Sequence, residues 1–117
     1  MRSGLTLTET AHGTVTVLGL KGYLDGHTFI ELERRLDQAL TAGSKRLVTD
    51  LSEVSYIASA GVGVLINGQH QLRKAGGSLQ LVNPNDSVRE VFNILGIESL
   101  FVIHESLASA VAAAAKE

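Results

Sequence analysis

The chain has 117 residues, 44% hydrophobic but only 4% aromatic, with twelve glycines, one proline and no cysteine. That length suits one domain with a core built from Leu, Val, Ile and Ala, and the missing cysteine excludes disulfides and thiolate zinc sites. Ten basic residues against twelve acidic ones leave no basic excess of the kind a dedicated nucleic-acid surface carries. No signal-peptide run is visible at the start and no segment approaches membrane-spanning length; Ala112 to Ala115 is a short Ala-rich helix end. A soluble, cytoplasmic protein without direct membrane insertion is the expectation.

Leu5 and Leu7, then Val15 and Val17, alternate with threonines, the period of half-buried strands, and Ala11-His12-Gly13 reads as the turn between them. The second strand is expected to run through Gly22 to Leu24 before a turn at Asp25-Gly26. Thr28 and Glu31 have capping-box spacing, in which an N-cap Thr and an N3 Glu satisfy each other's orphan amides. Phe29, Leu32, Leu36, Ala39 and Leu40 then share one helical face up to a stop at Gly43. Arg46 to Leu51 reads as a central strand.

A helix from Ser59 carries Val62, Leu65, Ile66 and Leu72 and ends at Gly76-Gly77. Gly61, Gly63 and Gly68 lie inside it, each costing about 1 kcal/mol relative to Ala, so its backbone is expected to approach something closely. Gly61 and Gly68 share a face, suited to the sheet beneath, while Gly63 points away, toward a partner over the first turn. Leu79, Leu81 and Val82 give another strand, closed by Asn83-Pro84-Asn85. Val88, Val91, Phe92 and Leu95 form an amphipathic stripe ending at Gly96-Ile97, Phe101 to Ile103 a last strand, and Ser106 the cap of a terminal helix. Two leading strands followed by alternating helices and strands predict a single α/β domain over residues 1–117, a mixed central β-sheet with helices packed against it. No apolar face is left over beyond these stripes, which suggests a monomer.

The stretch from Asp50 to Leu65 carries the most chemistry. A buried-looking strand runs out, and Ser59 follows at the first turn of a helix, its hydroxyl little shielded by the neighbouring glycines. One reading is an N-cap worth about 1 kcal/mol. The other is phosphorylation: a phosphoserine of about −2 charge held by the amides of Ala60, Gly61 and Val62, at a helix start that favours anions. Asp25 and Asp50 fall at expected strand ends near the Ser59 edge. Asp25 is either a turn-former or a partner contact, and Asp50 structural. A hydrolase nucleophile elbow would need Gly two residues before and two after the serine; Gly61 fits, but position 57 is Ile. His12, His27, His70 and His104 have neither triad nor metal-ligand spacing, and Gly61-Val62-Gly63 lacks the Gly-Lys-Ser/Thr ending of a phosphate loop. No catalytic residue, metal or cofactor is expected, and no residue demands a nucleotide.

The same stretch resembles the signature of the STAS family (sulphate transporter and anti-sigma factor antagonist domains), specifically its stand-alone bacterial anti-sigma factor antagonists. In those an Asp-Ser-Ser-Gly or Asp-Ser-Thr-Gly run follows an Asp-Leu-Ser strand; here the run is Ala58-Ser59-Ala60-Gly61. The resemblance continues at Lys21-Gly22-Tyr23-Leu24-Asp25, from Ala75 to Pro84 and from Leu95 to Phe101, within residues 14–104. It implies the STAS fold and an anti-sigma factor antagonist in bacterial partner switching. The unmodified protein would bind an anti-sigma factor of the serine kinase ATPase type and be released on phosphorylation of Ser59, with a serine phosphatase resetting it. The implied docking surface comprises Gly22, Tyr23, Asp25, Ala58, Ser59, Ala60, Gly61, Val62 and Gly63. Ala58 replaces the usual acidic neighbour and Ala60 the usual second hydroxyl, which leaves one acceptor. Two other readings fit the resemblance: a non-switching STAS subunit of a membrane lipid transport complex, with Ser59 merely a cap, or a partner switch for a target other than sigma.

Overall fold

The computed structural model describes residues 4–116. Strands β1 (Leu5–His12) and β2 (Val15–Leu24) form an antiparallel hairpin. There follow α1 (Phe29–Thr41), β3 (Arg46–Ile57), α2 (Ser59–Lys74), β4 (Ser78–Val82), α3 (Asp86–Leu95), a 3₁₀ turn (Glu98–Leu100), β5 (Val102–His104) and α4 (Leu107–Ala115). The sheet order is β1-β2-β3-β4-β5, with every pair after the first parallel. The expected mixed sheet is therefore present, and both of its faces are used.

Alternation along the strands sorts the core into two layers. Leu18 and Leu20 of β2, Leu47 of β3, and Leu79 and Leu81 of β4 meet α1, α2 and α3. Val15, Val17, Val48 and Val82 point the other way, onto Ala110 and Ala114 of α4. Aliphatic side chains fill both layers, as so low an aromatic content requires. Phe92 and Phe101 are the exception, their rings stacked 6.2 Å apart.

Strand β3 is twice as long as the sequence suggested. The alternation that marks its first half breaks at Ser52-Glu53 and Ser55-Tyr56, both exposed pairs, because β3 is bulged twice against β2. From Gly19 to Lys21 on β2, β3 advances from Asp50 to Glu53; from Gly22 to Tyr23 it advances from Val54 to Tyr56. Each step adds one residue to β3, the signature of a β-bulge. Asp50 Oδ1 accepts the Ser52 N–H at 3.0 Å and so satisfies an amide at the first bulge. Asp50 is thus mid-strand, not at the strand end expected for it. Seven residues separate it from Ile57, on the order of 20 Å of extended chain, which removes it from the Ser59 edge.

The capping box at Thr28 does not form. Thr28 is the N-cap of α1, but its side chain makes no cap bond. Its hydroxyl donates to the Tyr23 carbonyl at 2.6 Å and accepts the Asp25 N–H at 3.0 Å, so the oxygen that would cap the helix holds the preceding turn instead. Other caps match expectation: Ser106 Oγ accepts the Ser109 N–H, and Gly96 closes α3 in the left-handed region with the Ile97 N–H on the Phe92 carbonyl. Asn85 caps α3 by accepting the Val88 N–H at 2.9 Å, and its amide also donates to the Val54 carbonyl, tying α3 to β3. Leu95 departs from the predicted stripe. Val88 and Phe92 are buried, but Leu95 is 48% exposed and Phe101 packs on Phe92 in its place.

Thr49, fully buried in the middle of β3, has a hydroxyl with no hydrogen-bond partner among the described residues. A buried unmade hydrogen bond costs about 1–3 kcal/mol. Thr49→Val is therefore expected to raise stability by about 1 kcal/mol in urea unfolding; a loss would mean that the hydroxyl finds a partner in solution.

Candidate functional site at the start of helix α2

Parallel strands end on the same edge of a sheet, and β2 and β3 end together. Their ladder runs to Leu24 opposite Ile57, and the Leu24 carbonyl then accepts the Ala58 N–H at 2.9 Å. The chain turns directly into α2, with Gly61 lying on Leu24. A Cβ there would stand 2.6 Å from Leu24 Cγ and 3.0 Å from the Leu24 carbonyl oxygen, so no side chain fits. Gly68, on the same face, lies against Leu36 and Leu79, while Gly63 has nothing within 4 Å of where its Cβ would be. The glycines divide as their spacing predicted.

Ala58, not Ser59, occupies the N-cap. Its backbone is extended (φ −106°, ψ 168°) and it has no side-chain oxygen to offer the helix. Ser59 is the first helical residue, exposed, and its hydroxyl makes no hydrogen bond to another described residue. The simple capping role is thereby removed. The first intrahelical bond runs from the Val62 N–H to the Ala58 carbonyl at 3.1 Å. Val62 therefore cannot offer its amide to an anion as expected, and the open N–H groups of this helix start are those of Ser59, Ala60 and Gly61. The first turn carries no acidic residue, whereas Arg73 and Lys74 sit in the last turn, so no side-chain charge offsets the positive end of the helix dipole.

The remaining expected site residues divide by exposure. Asp25 is only 2% exposed; its Oδ1 accepts the N–H groups of His27 at 2.9 Å and Thr28 at 3.1 Å. These bonds give it the turn-forming role, the first of its two expected readings. Gly22 (φ 112°) lies against the Gly4 carbonyl, which accepts the Tyr23 N–H at 3.0 Å; its conformation serves the entry to β1. Gly61 and Val62 are buried beneath the helix start. Tyr23, Ala58, Ser59, Ala60 and Gly63 remain accessible. Sequence reasoning missed Tyr56, which is 47% exposed and has its ring 6.3 Å from that of Tyr23. The signal available was that both tyrosines of an aromatic-poor chain fall on strand segments leading into this edge.

Residues 7–110 match the STAS domain family, and the chain belongs to that family. Among curated relatives, a Bordetella bronchiseptica protein named as candidate anti-sigma factor antagonist BtrV is 37% identical over 94 residues, 80% of this chain and 81% of that one. A candidate anti-sigma factor antagonist from Thermotoga maritima superimposes with a TM-score of 0.87 at 22% identity, covering 93% of this chain and 94% of that one. The Bacillus anti-sigma factor antagonist SpoIIAA is similar in fold in both its unphosphorylated and phosphorylated forms (TM-scores 0.82 and 0.74, each at 21% identity). These cover 96% and 92% of this chain and 98% of SpoIIAA in each case. No helix among the described residues is long and apolar enough to cross a membrane.

Two substitutions test the geometry. Asp25→Ala removes the acceptor of two buried-turn amides and is expected to lower stability by about 1–3 kcal/mol in urea unfolding. Ala58→Asp supplies the missing cap and is expected to raise stability by about 1 kcal/mol in urea unfolding; no gain would mean that the open amides of α2 are already satisfied.

Proposed function

We propose that this STAS protein is an anti-sigma factor antagonist whose binding is switched by phosphorylation of Ser59. The observation that carries the reading is an exposed serine hydroxyl, unused by the fold, on the first residue of a helix with open amides and no capping side chain. The names of its relatives supply the partner class. The unmodified helix start, with Tyr23, Tyr56, Ala60 and Gly63 around it, docks on an anti-sigma factor of the serine kinase ATPase type. Transfer of a phosphoryl group from ATP to Ser59 Oγ then places about two negative charges at the centre of that surface.

The added charge is accommodated locally, because the amides of Ala60 and Gly61 and the dipole of α2 favour an anion there. The partner, which would have to desolvate or repel it, is released. A serine phosphatase restores the hydroxyl. The fold need not change, so the switch is one of surface charge and bulk.

The test is binding of the purified chain to the anti-sigma kinases of its own bacterium, by calorimetry and by phosphate-affinity electrophoresis after incubation with ATP. Wild type and Ser59→Ala should bind alike, and Ser59→Asp should bind at least about ten-fold more weakly. Ser59→Ala should also abolish phosphorylation. Equal binding by all three, or phosphorylation surviving Ser59→Ala, would overturn the assignment.

A further inference from the structure

Of the two edges of the sheet, only one is blunted. An edge strand offers unpaired amides and carbonyls to any extended segment, and short, bulged, lysine- or proline-bearing edges resist such pairing. At one edge β5 is three residues long, too short to template a partner. At the other, β1 runs for eight residues, Leu-Thr-Leu-Thr-Glu-Thr-Ala-His, with neither proline nor lysine. It pairs with β2 from Leu5 to His12 without a register shift, so no bulge twists it away.

The backbone of β1 shows which groups are open. The Tyr23 N–H donates to the Gly4 carbonyl at 3.0 Å, and in an antiparallel ladder the residues that exchange such bonds recur at every second position. The unbroken register carries that alternation down the strand. Thr6, Thr8 and Thr10 therefore turn their backbone groups to β2, whereas Leu5, Leu7, Glu9 and Ala11 turn theirs to the open edge. Side chains alternate as well. Leu5 and Leu7 pack on the larger core layer, and Thr6, Thr8 and Thr10 lie exposed on the other face.

We propose that β1 pairs with β1 of a second copy, antiparallel about a two-fold axis at Thr8, joining two sheets into one. This register uses every open residue of the edge. Leu5 falls opposite the partner's Ala11 and Leu7 opposite the partner's Glu9, each pair exchanging both of its backbone bonds. It also sets Thr8 against Thr8 and Thr6 against Thr10, which are favourable cross-strand pairs. An axis at Glu9 would put like charges face to face, and an axis at Leu7 would leave Ala11 opposite no residue of β1. With the axis at Thr8, the partner's Glu9 lies across from Leu7. Leu7 lines an open cleft of about 460 Å³ together with Leu5, Glu31, Arg34 and Arg35. Arg34 forms no ion pair with another described residue, so the cleft meets the incoming carboxylate with a cation. This charge match and the self-complementary register select a second copy as the occupant, and symmetric pairing closes at two. The expectation of a monomer rested on no apolar face being left over, but an edge strand associates through its backbone and needs none. The pairing uses no group of the Ser59 helix start, and the proposal is independent of the phosphorylation reading.

Sedimentation of the full chain over a concentration series tests it. Wild type should show a reversible monomer–dimer equilibrium below about 1 mM. Ala11→Pro removes an outward amide where an edge strand tolerates proline. It should keep the circular dichroism of wild type and weaken dimerisation at least about ten-fold. Thr8→Lys sets two ammonium groups opposite each other and should weaken it about five-fold; an equimolar mixture with Thr8→Glu should restore it. The chain has no cysteine, so single substitutions can report the register. Thr8→Cys should form an interchain disulfide under mild oxidation, because such pairs stand about 4.5 Å apart at Cα, and Thr10→Cys should not. A monomer throughout the series, dimerisation untouched by Ala11→Pro, or equal cross-linking of Thr8→Cys and Thr10→Cys would each overturn the proposal. So would amide exchange at Leu5, Leu7, Glu9 and Ala11 that ignores chain concentration and slows only on adding a different protein.

Discussion

One backbone pairing organises the functional end of this molecule. Strands β2 and β3 run parallel and finish side by side, and the Leu24 carbonyl takes the Ala58 amide as the last rung. Two distant pieces of sequence thereby meet on one edge, the Tyr23–Thr28 turn and the Ala58–Gly63 helix start. Gly61 lets α2 lie directly on Leu24, so the helix begins immediately after the strand with no intervening loop. Any side chain at Gly61 would lift the helix start away from the turn that accompanies it.

The same edge shows a division of labour among polar groups. Asp25 and Thr28 are spent on local order, their side chains satisfying turn amides and the Tyr23 carbonyl from buried positions. The opposite arrangement holds at the start of α2, where Ala58 has no side-chain oxygen for the helix it caps and Ser59 is exposed. An uncapped helix start is less stable than a capped one, by about 1 kcal/mol, and natural proteins break such local rules most often at functional sites. A rigid turn beside an unsatisfied helix start is a surface on which a single added charge changes binding without changing shape.

Legibility in the sequence followed the range of the interactions. The five strands and four helices could be placed because alternation and helical spacing are local. The division of the α2 glycines was legible too, since Gly61 and Gly68 lie on one helical face and Gly63 on another. The errors arose where a side chain had a competing partner. Thr28 and Glu31 have the spacing of a capping box, but the Thr28 hydroxyl is held by Asp25 and Tyr23. Asp50 looked like the end of a strand because two bulges destroy the alternation beyond it. Leu95 continued a helical stripe that the core does not follow, since Phe101 returns to pack on Phe92.

The sequence by itself determined a cysteine-free α/β domain with aliphatic layers, the family signature around Ser59, and that serine's place in the first turn of a helix. Those properties depend on composition and on residues within a few positions of one another. Tertiary structure alone decided that Ala58 is the cap and Ser59 is free of one, that Val62's amide is already used, that Asp25 is buried, and that Tyr56 joins Tyr23 beside the site. It also left Ile94, Leu95 and Leu100 facing outward. Each of these depends on which residues meet across the β2–β3 pairing or elsewhere between elements, and such meetings are fixed by register and packing between segments that are far apart in the chain.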